Sequence, residues 1–190
     1  QVGLVGSEMC IRDSINTILI SSALYLFFIT LRDFFNKKYK NFAQNTAHFG
    51  FSLLILSILF NNLFSSEIIT NLKVGETYDN SKTKIVFESI NQKTEKNYKS
   101  IIANFNITNA EGMNNNLSPE LRIYNQPNIT TSEADIKTTL MKDKFIVINL
   151  VQNQDYFNVR YQVKPFMLWI WLSVIMISLG GLVSFLQKRI

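Results

Sequence analysis

Cysteine and histidine are almost missing from this chain of 190 residues, which has one of each, Cys10 and His48, and only three prolines. So little cysteine excludes a disulfide framework, a CxxC redox pair, a thiolate metal site and a CxxCH haem-attachment motif. Cys10 itself lies in LVGSEMCIRDS, residues 4–14. That stretch reads like a transposase sequencing adaptor translated in one frame, so residues 1–14 are expected to be a sequencing artefact and are set aside from the fold. The natural sequence is then expected to begin near Ile15, in mid-protein. Residues 65–164 hold neither histidine nor cysteine, which excludes a Ser/His/Asp or Cys/His nucleophilic site among them. A concentrated basic surface is missing too: in the same residues twelve basic side chains stand against eleven acidic ones, which argues against binding nucleic acid.

What is present is apolar. Hydrophobic residues make up 47% of the chain, fifteen of them Phe, and they gather in three runs. INTILISSALYLFFITL, residues 15–31, is short for a bilayer that needs about 20 apolar residues, as a truncated first transmembrane helix would be. The second run covers residues 42–64. The third covers residues 164–186, with Trp169 and Trp171 near its start at the level of an interfacial aromatic belt. The net charge of +5 collects beside these runs, in the loop at residues 32–41 with Arg32, Lys37, Lys38 and Lys40 against Asp33, and in the tail at residues 187–190 with Lys188 and Arg189. Both basic segments are expected in the cytoplasm, which puts residues 65–163 on the far side of a lipid bilayer.

Those intervening residues alternate as strands do. Phe157, Val159, Tyr161 and Val163 interleave with Asn158, Arg160, Gln162 and Lys164, and Ile101, Ala103, Phe105 and Ile107 do likewise. TKIVFESI and KFIVINLV read as more fully buried strands. VGET at 74–77 and AEGMNNNLSPE at 110–120 read as turns or loops, and TSEADIKTTL as a helical insertion. The expected fold is a membrane protein: three transmembrane α-helices, with an all-β domain, a small barrel or sandwich of about six strands, between helices two and three. Asn106-Ile-Thr and Asn128-Ile-Thr match the glycosylation pattern, and AT-rich coding DNA explains so much Asn, Ile and Lys more simply.

His48 opens the second apolar run. An ionisable side chain inside a membrane is a functional candidate by default. On a helix its face continues through Phe51, Ser52, Ile55 and Leu59, a strip that suits a flat hydrophobic ligand or another helix, and Gly50 leaves space where a macrocycle could approach. The residues alone leave two readings open: a histidine bonded to a neighbouring helix, headgroup or water, and a haem or metal ligand. Glu120, Glu133 and Asp135, with Arg122 between them, read as ion pairs that fix a loop. SLGG at 178–181 reads as a close helix-packing site.

Four stretches in order carry a resemblance to a known family: NTAHFG at 45–50, SPELRIY at 118–124, TTSEADIKT at 130–138, and YQVKPFMLWIWL at 161–172 followed by GGLV. They resemble the AHxG, PExRxY and TEAxI segments and the last helix of the CcmF/NrfE family of cytochrome c-type biogenesis proteins. The resemblance implies the carboxy-terminal portion of a multi-pass protein of the bacterial inner membrane, with its β-domain in the periplasm. It implies a transmembrane haem b with His48 as one axial iron ligand, facing the interior of the helix bundle. The second ligand, the tryptophan-rich WWD segment and two periplasmic histidines are not among these residues. It further implies a haem lyase that takes haem from the chaperone CcmE, works with CcmH and CcmI, and joins haem to the CxxCH thiols of apocytochrome c, a reaction this portion does not perform alone. The rival reading is a membrane-anchored scaffold without enzymatic activity, in which His48 only packs. A transporter is a weaker reading, since no broken helix or inverted repeat is visible.

Overall fold

The computed structural model describes residues 2–35, 42–109, 112–151 and 155–187, with residues 2–15 described by their backbone only. Two compact units are present, one of helices (residues 1–64 and 165–190) and one of strands (residues 65–164).

The helical unit contains α1 (Val2–Phe35), α2 (Phe42–Phe64) and α3 (Met167–Gln187). Asn16–Phe35 of α1, and α2 and α3 in full, are long and apolar enough to cross a membrane. α1 runs on past residue 31, so Arg32 to Phe35 are helical where a loop was expected, and the rest of that loop lies outside the described residues. Polar groups tie the helices together: the hydroxyls of Thr30 and Ser52 are 2.7 Å apart, and the Asn45 amide donates to the carbonyl of Asp33 at 2.9 Å. A ladder of rings, Phe27, Phe34, Phe42 and Phe49, fills the α1–α2 seam. Phe166 stands just before α3 with φ of 61°, a conformation unusual for a bulky residue. Its ring is held 5.4 Å from that of Phe60, and the Asn61 amide donates to the carbonyl of Pro165 beside it at 2.6 Å.

α2 and α3 meet through small residues. A Cβ built on Gly180 would stand 2.7 Å from the carbonyl oxygen of Ala43 and 2.8 Å from the Cβ of Ala47, whereas Gly181 has nothing within 4 Å. Gly180→Ala should therefore force the helices apart and cost about 1–3 kcal/mol, while Gly181→Ala is neutral or stabilising by helix propensity. Both tryptophans lie on α3, so thermal melts in detergent followed by tryptophan fluorescence compare the two directly. Equal melting temperatures would refute the seam.

The strand unit holds β1 (Ser66–Leu72), β2 (Thr77–Asn80), β3 (Thr83–Thr94), β4 (Tyr98–Asn109), β5 (Asn114–Leu117), β6 (Glu120–Tyr124), β7 (Thr130–Glu133), β8 (Asp135–Thr138), β9 (Lys142–Leu150) and β10 (Phe157–Pro165). One sheet has the order β1-β10-β9-β8; the other runs β2-β3-β4-β6-β7, with β5 also paired to β4. Leu72, Ile146, Ile148, Val159 and Tyr161 of the first sheet face Ile85, Phe87, Ala103, Phe105, Ile107, Leu117 and Leu121 of the second in one core. Two sheets closing on a shared apolar interior make a β-sandwich, one of the two forms expected.

The described residues form ten strands where about six are expected, β5 lies within AEGMNNNLSPE, which reads as a turn or loop, and two further details depart from the sequence reading. β3 and β9 bury one face rather than both: Ile85 and Phe87, and Ile146 and Ile148, point inward, while Val86, Phe145 and Val147 are half-buried on the other side. A bulge at Glu88 shifts the register between Phe87 and Ser89, so the inward parity changes and Ile90 packs against the core as Phe87 does. The second departure is TSEADIKTTL, which is not a helix but contains β7 and β8 in different sheets. Side chains pin this crossover: the Ser118 N–H donates to the Asp135 carboxylate at 2.6 Å, and the Ser132 hydroxyl to Asn149 at 2.5 Å.

Candidate functional site

His48 sits in the second turn of α2, and three faces of that helix have separate uses. Phe49 and Ser52 meet α1. Ala43, Ala47 and Gly50 meet α3; a Cβ on Gly50 would lie 3.0 Å from Met176 and 3.1 Å from Ile177. His48 is on the third face, exposed, with Gln44, Phe51 and Ile58 also exposed and Ile55 half-buried. These residues follow helical spacing, so they form one stripe.

The sequence reading needs two corrections here. Gly50 does not make room beside His48, because its missing side chain admits α3 on another face. Ser52 leaves the stripe for a bond to Thr30 and is 2% exposed. His48 lies on the face of α2 that neither α1 nor α3 covers. Among the described residues its imidazole makes no hydrogen bond, and none of them form a cluster of three metal-ligating side chains.

In the sandwich, the carboxylates singled out in the sequence gather around Arg122 on strands rather than in a loop. Arg122 pairs with Glu120 at 2.9 Å and Glu133 at 3.7 Å, and its guanidinium lies 5.3 Å from the centre of the Tyr98 ring, which packs on Tyr124. The register places Glu120 opposite Glu133 and Arg122 opposite Thr131, so SPELRIY and TTSEADIKT, separate in sequence, form one paired unit. Asp135 is the member that leaves the cluster, holding Ser118 instead. Tyr161, in the fourth matching stretch, is core: it is 2% exposed, its hydroxyl is buried without a partner, and burial pushes it up to about 12.

The Arg122 guanidinium, and then the Ser100 hydroxyl at 2.5 Å, hold the Glu120 carboxyl below its ordinary value, against a smaller opposing effect of burial. A carboxyl depressed in the folded state stabilises that state fully above its unfolded value and loses the contribution as pH falls through the folded value. Glu120→Gln should thus cost on the order of 1 kcal/mol at neutral pH, with a deficit that shrinks as the pH falls below about 4.5. Far-ultraviolet circular dichroism melts across that range measure it, and a deficit constant with pH would contradict the ion pair.

Residues 63–165, from the last turn of α2 to the end of β10, match the family described as the CcmF C-terminal beta-sandwich. The chain belongs to this family. The CcmF cytochrome c-type biogenesis protein of Escherichia coli K12 is 27% identical over 143 residues, which are 75% of this chain and 22% of that protein. The cytochrome c-type biogenesis protein NrfE of Haemophilus influenzae is 23% identical over 173 residues, 90% of this chain and 27% of that protein. The solved structure of the cytochrome c haem lyase CcmF matches with a TM-score of 0.61 at 15% identity, over 84% of this chain and 28% of that one. That likeness shows the fold. The chain spans about a quarter of the length of the curated relatives it matches. Its apolar helices and its CcmF relatives together make it a membrane protein.

Proposed function

We propose that this chain is the carboxy-terminal part of a haem lyase subunit for cytochrome c maturation, and that His48 supplies one axial ligand to a transmembrane haem b. The observation that supports this reading is the exposed imidazole on a membrane-length helix. A polar ring facing lipid is costly unless a partner takes it, and the stripe through Phe51, Ile55 and Ile58 gives it apolar surroundings suited to a flat macrocycle. The residues fit the group to the extent of one nitrogen donor. When bound, the haem would supply one-electron chemistry. His48 would hold the iron on one side, and the neighbouring apolar side chains would exclude water from it.

The protein would lie in the bacterial inner membrane, with the sandwich in the periplasm. Haem would come from CcmE and be joined to the CxxCH thiols of apocytochrome c, with CcmH and CcmI as partner subunits. Residues 65–164 hold no histidine or cysteine, and the part of the sandwich would be to brace the site or meet these partners. Cells whose only copy of the intact protein carries His48→Ala test the functional reading. Mature c-type cytochrome, detected by haem staining, should fall roughly tenfold or more, since even loss of a residue that merely supports a metal ligand costs 10–100-fold. Undiminished maturation would reject the ligand role.

A further inference from the structure

The hairpin between β8 and β9 turns through two residues, Leu140 and Met141. Thr139 and Lys142 close it: the Thr139 N–H and hydroxyl donate to the Lys142 carbonyl at 3.1 and 2.6 Å, and the Lys142 N–H donates to the Thr139 hydroxyl at 3.2 Å. Tips this tight favour Asn, Gly and Asp. Leu140 and Met141 are instead 62% and 55% exposed, whereas the β2–β3 and β3–β4 tips carry Ser81 with Lys82 and Glu95 with Lys96 and Asn97. Two large apolar side chains held in the open by a bonded turn call for something to cover them.

The location of the tip within the sandwich indicates what does. The Val151 N–H donates to the Tyr156 carbonyl, and the Lys164 ammonium lies 5.6 Å from the centre of the Phe145 ring, so β9 and β10 run antiparallel and the start of β9 lies at the end of β10. Going back from Phe145 to Lys142 carries the hairpin about 10 Å further along β9, toward the end of β10. Ser66, where the chain enters the sandwich, is paired with Val163 at the same end. The tip therefore projects from the end through which the chain arrives from one apolar helix and departs for another. Around it stand Lys137, exposed, and Lys142, half-buried, with Lys164 across the sheet; Asp143, the carboxylate within the hairpin, has its Oδ1 buried. Ile136, 58% exposed and paired with Phe145, extends the apolar surface along β8.

We propose that the Leu140–Met141 tip inserts into the interfacial layer of the membrane, with Lys137, Lys142 and Lys164 against anionic phospholipid headgroups. Apolar side chains at the headgroup boundary with lysines reaching to phosphate are the usual terms of interfacial binding. This inference does not depend on the haem reading.

The test uses the whole chain with Cys10→Ser and a single new cysteine, Leu140→Cys, Met141→Cys or, on the polar β3–β4 tip, Asn97→Cys. Each is labelled with bimane and reconstituted into phosphatidylethanolamine–phosphatidylglycerol vesicles, circular dichroism confirming the sheet. Labels at 140 and 141 should be quenched several-fold more than the label at 97 by lipids bearing a shallow acyl-chain nitroxide, and less by aqueous iodide. Replacing phosphatidylglycerol with phosphatidylcholine should weaken the lipid quenching. Iodide quenching at 140 and 141 equal to that at 97 would put the tip in water. Protection from both quenchers would put it against protein, and lipid quenching indifferent to headgroup charge would remove the lysines' role. Each of these results overturns the proposal.

Discussion

The intact protein carrying His48→Ala should be purified with its visible low-spin haem b absorption reduced roughly tenfold or more. The substitution is clean on structural grounds. His48 is exposed on α2, so its truncation opens no cavity in the helical unit. Alanine is the best helix former, so the turn survives. The faces that meet α1 and α3 use Phe49 and Ser52, and Ala43, Ala47 and Gly50, all of which are untouched. A loss of haem would then report ligation rather than unfolding. His48→Gly sharpens the test, because imidazole added to that protein should restore part of the low-spin spectrum, which no packing role for His48 would produce. Unchanged haem content and spectrum in His48→Ala would leave the histidine a packing or headgroup-facing residue and would favour the scaffold reading.

The two kinds of element were legible in sequence to different degrees. Hydropathy marks the three helices because lipid demands long, uninterrupted apolar runs, and little else produces them. Strict alternation marks β4 and β10 because one face of each strand meets the core. The reading failed where a local pattern had a non-local cause. TSEADIKTTL contains good helix formers, yet Ser118, between β5 and β6, and Asn149 of β9 capture Asp135 and Ser132 and hold the segment as two strands at a crossover. TKIVFESI looked fully buried because its apolar residues fall on both parities, and the bulge at Glu88 is what reconciles them. Neither Ser118 nor Asn149 is a sequence neighbour of the residue it holds.

The site was legible as a residue and not as a surface. His48 stood out because a histidine is rare in such a run. Its surroundings did not, because a helical wheel gives angles without saying which helix occupies which angle. Gly50 sits two residues from His48 and was read as space for a ligand, but that space is taken by Met176 and Ile177. The Leu140–Met141 tip carries a signal of its own in the sequence: an apolar pair between Thr139 and Lys142, at the turn between two strands.

Phe87→Ala should be the most damaging change in the sandwich, at about 3–5 kcal/mol. Phe87 is 0% exposed, stacks on Phe105 at 4.4 Å, and meets the edge of Phe157 from the opposite sheet at 5.6 Å. Its removal therefore leaves a cavity between the layers that neither sheet can fill by itself. A domain of this size is stable by about 5–15 kcal/mol, so the loss is a large fraction of the total. One feature of the chain opposes complete collapse. The hundred residues at 65–164 are a loop whose ends are carried by α2 and α3, and those helices pack on each other through the Gly180 seam. Closing a loop of that length removes unfolded-state entropy worth about 5 kcal/mol by the cross-link model. The Phe87→Ala sandwich should therefore remain folded at low temperature and melt early. Adding Gly180→Ala should lower the melting point of the sheet by more than the two single changes together, because it loosens the closure on which the weakened core depends. Far-ultraviolet circular dichroism melts of the two single variants and the double variant decide this. Strict additivity would show that the helix pair lends the sandwich nothing.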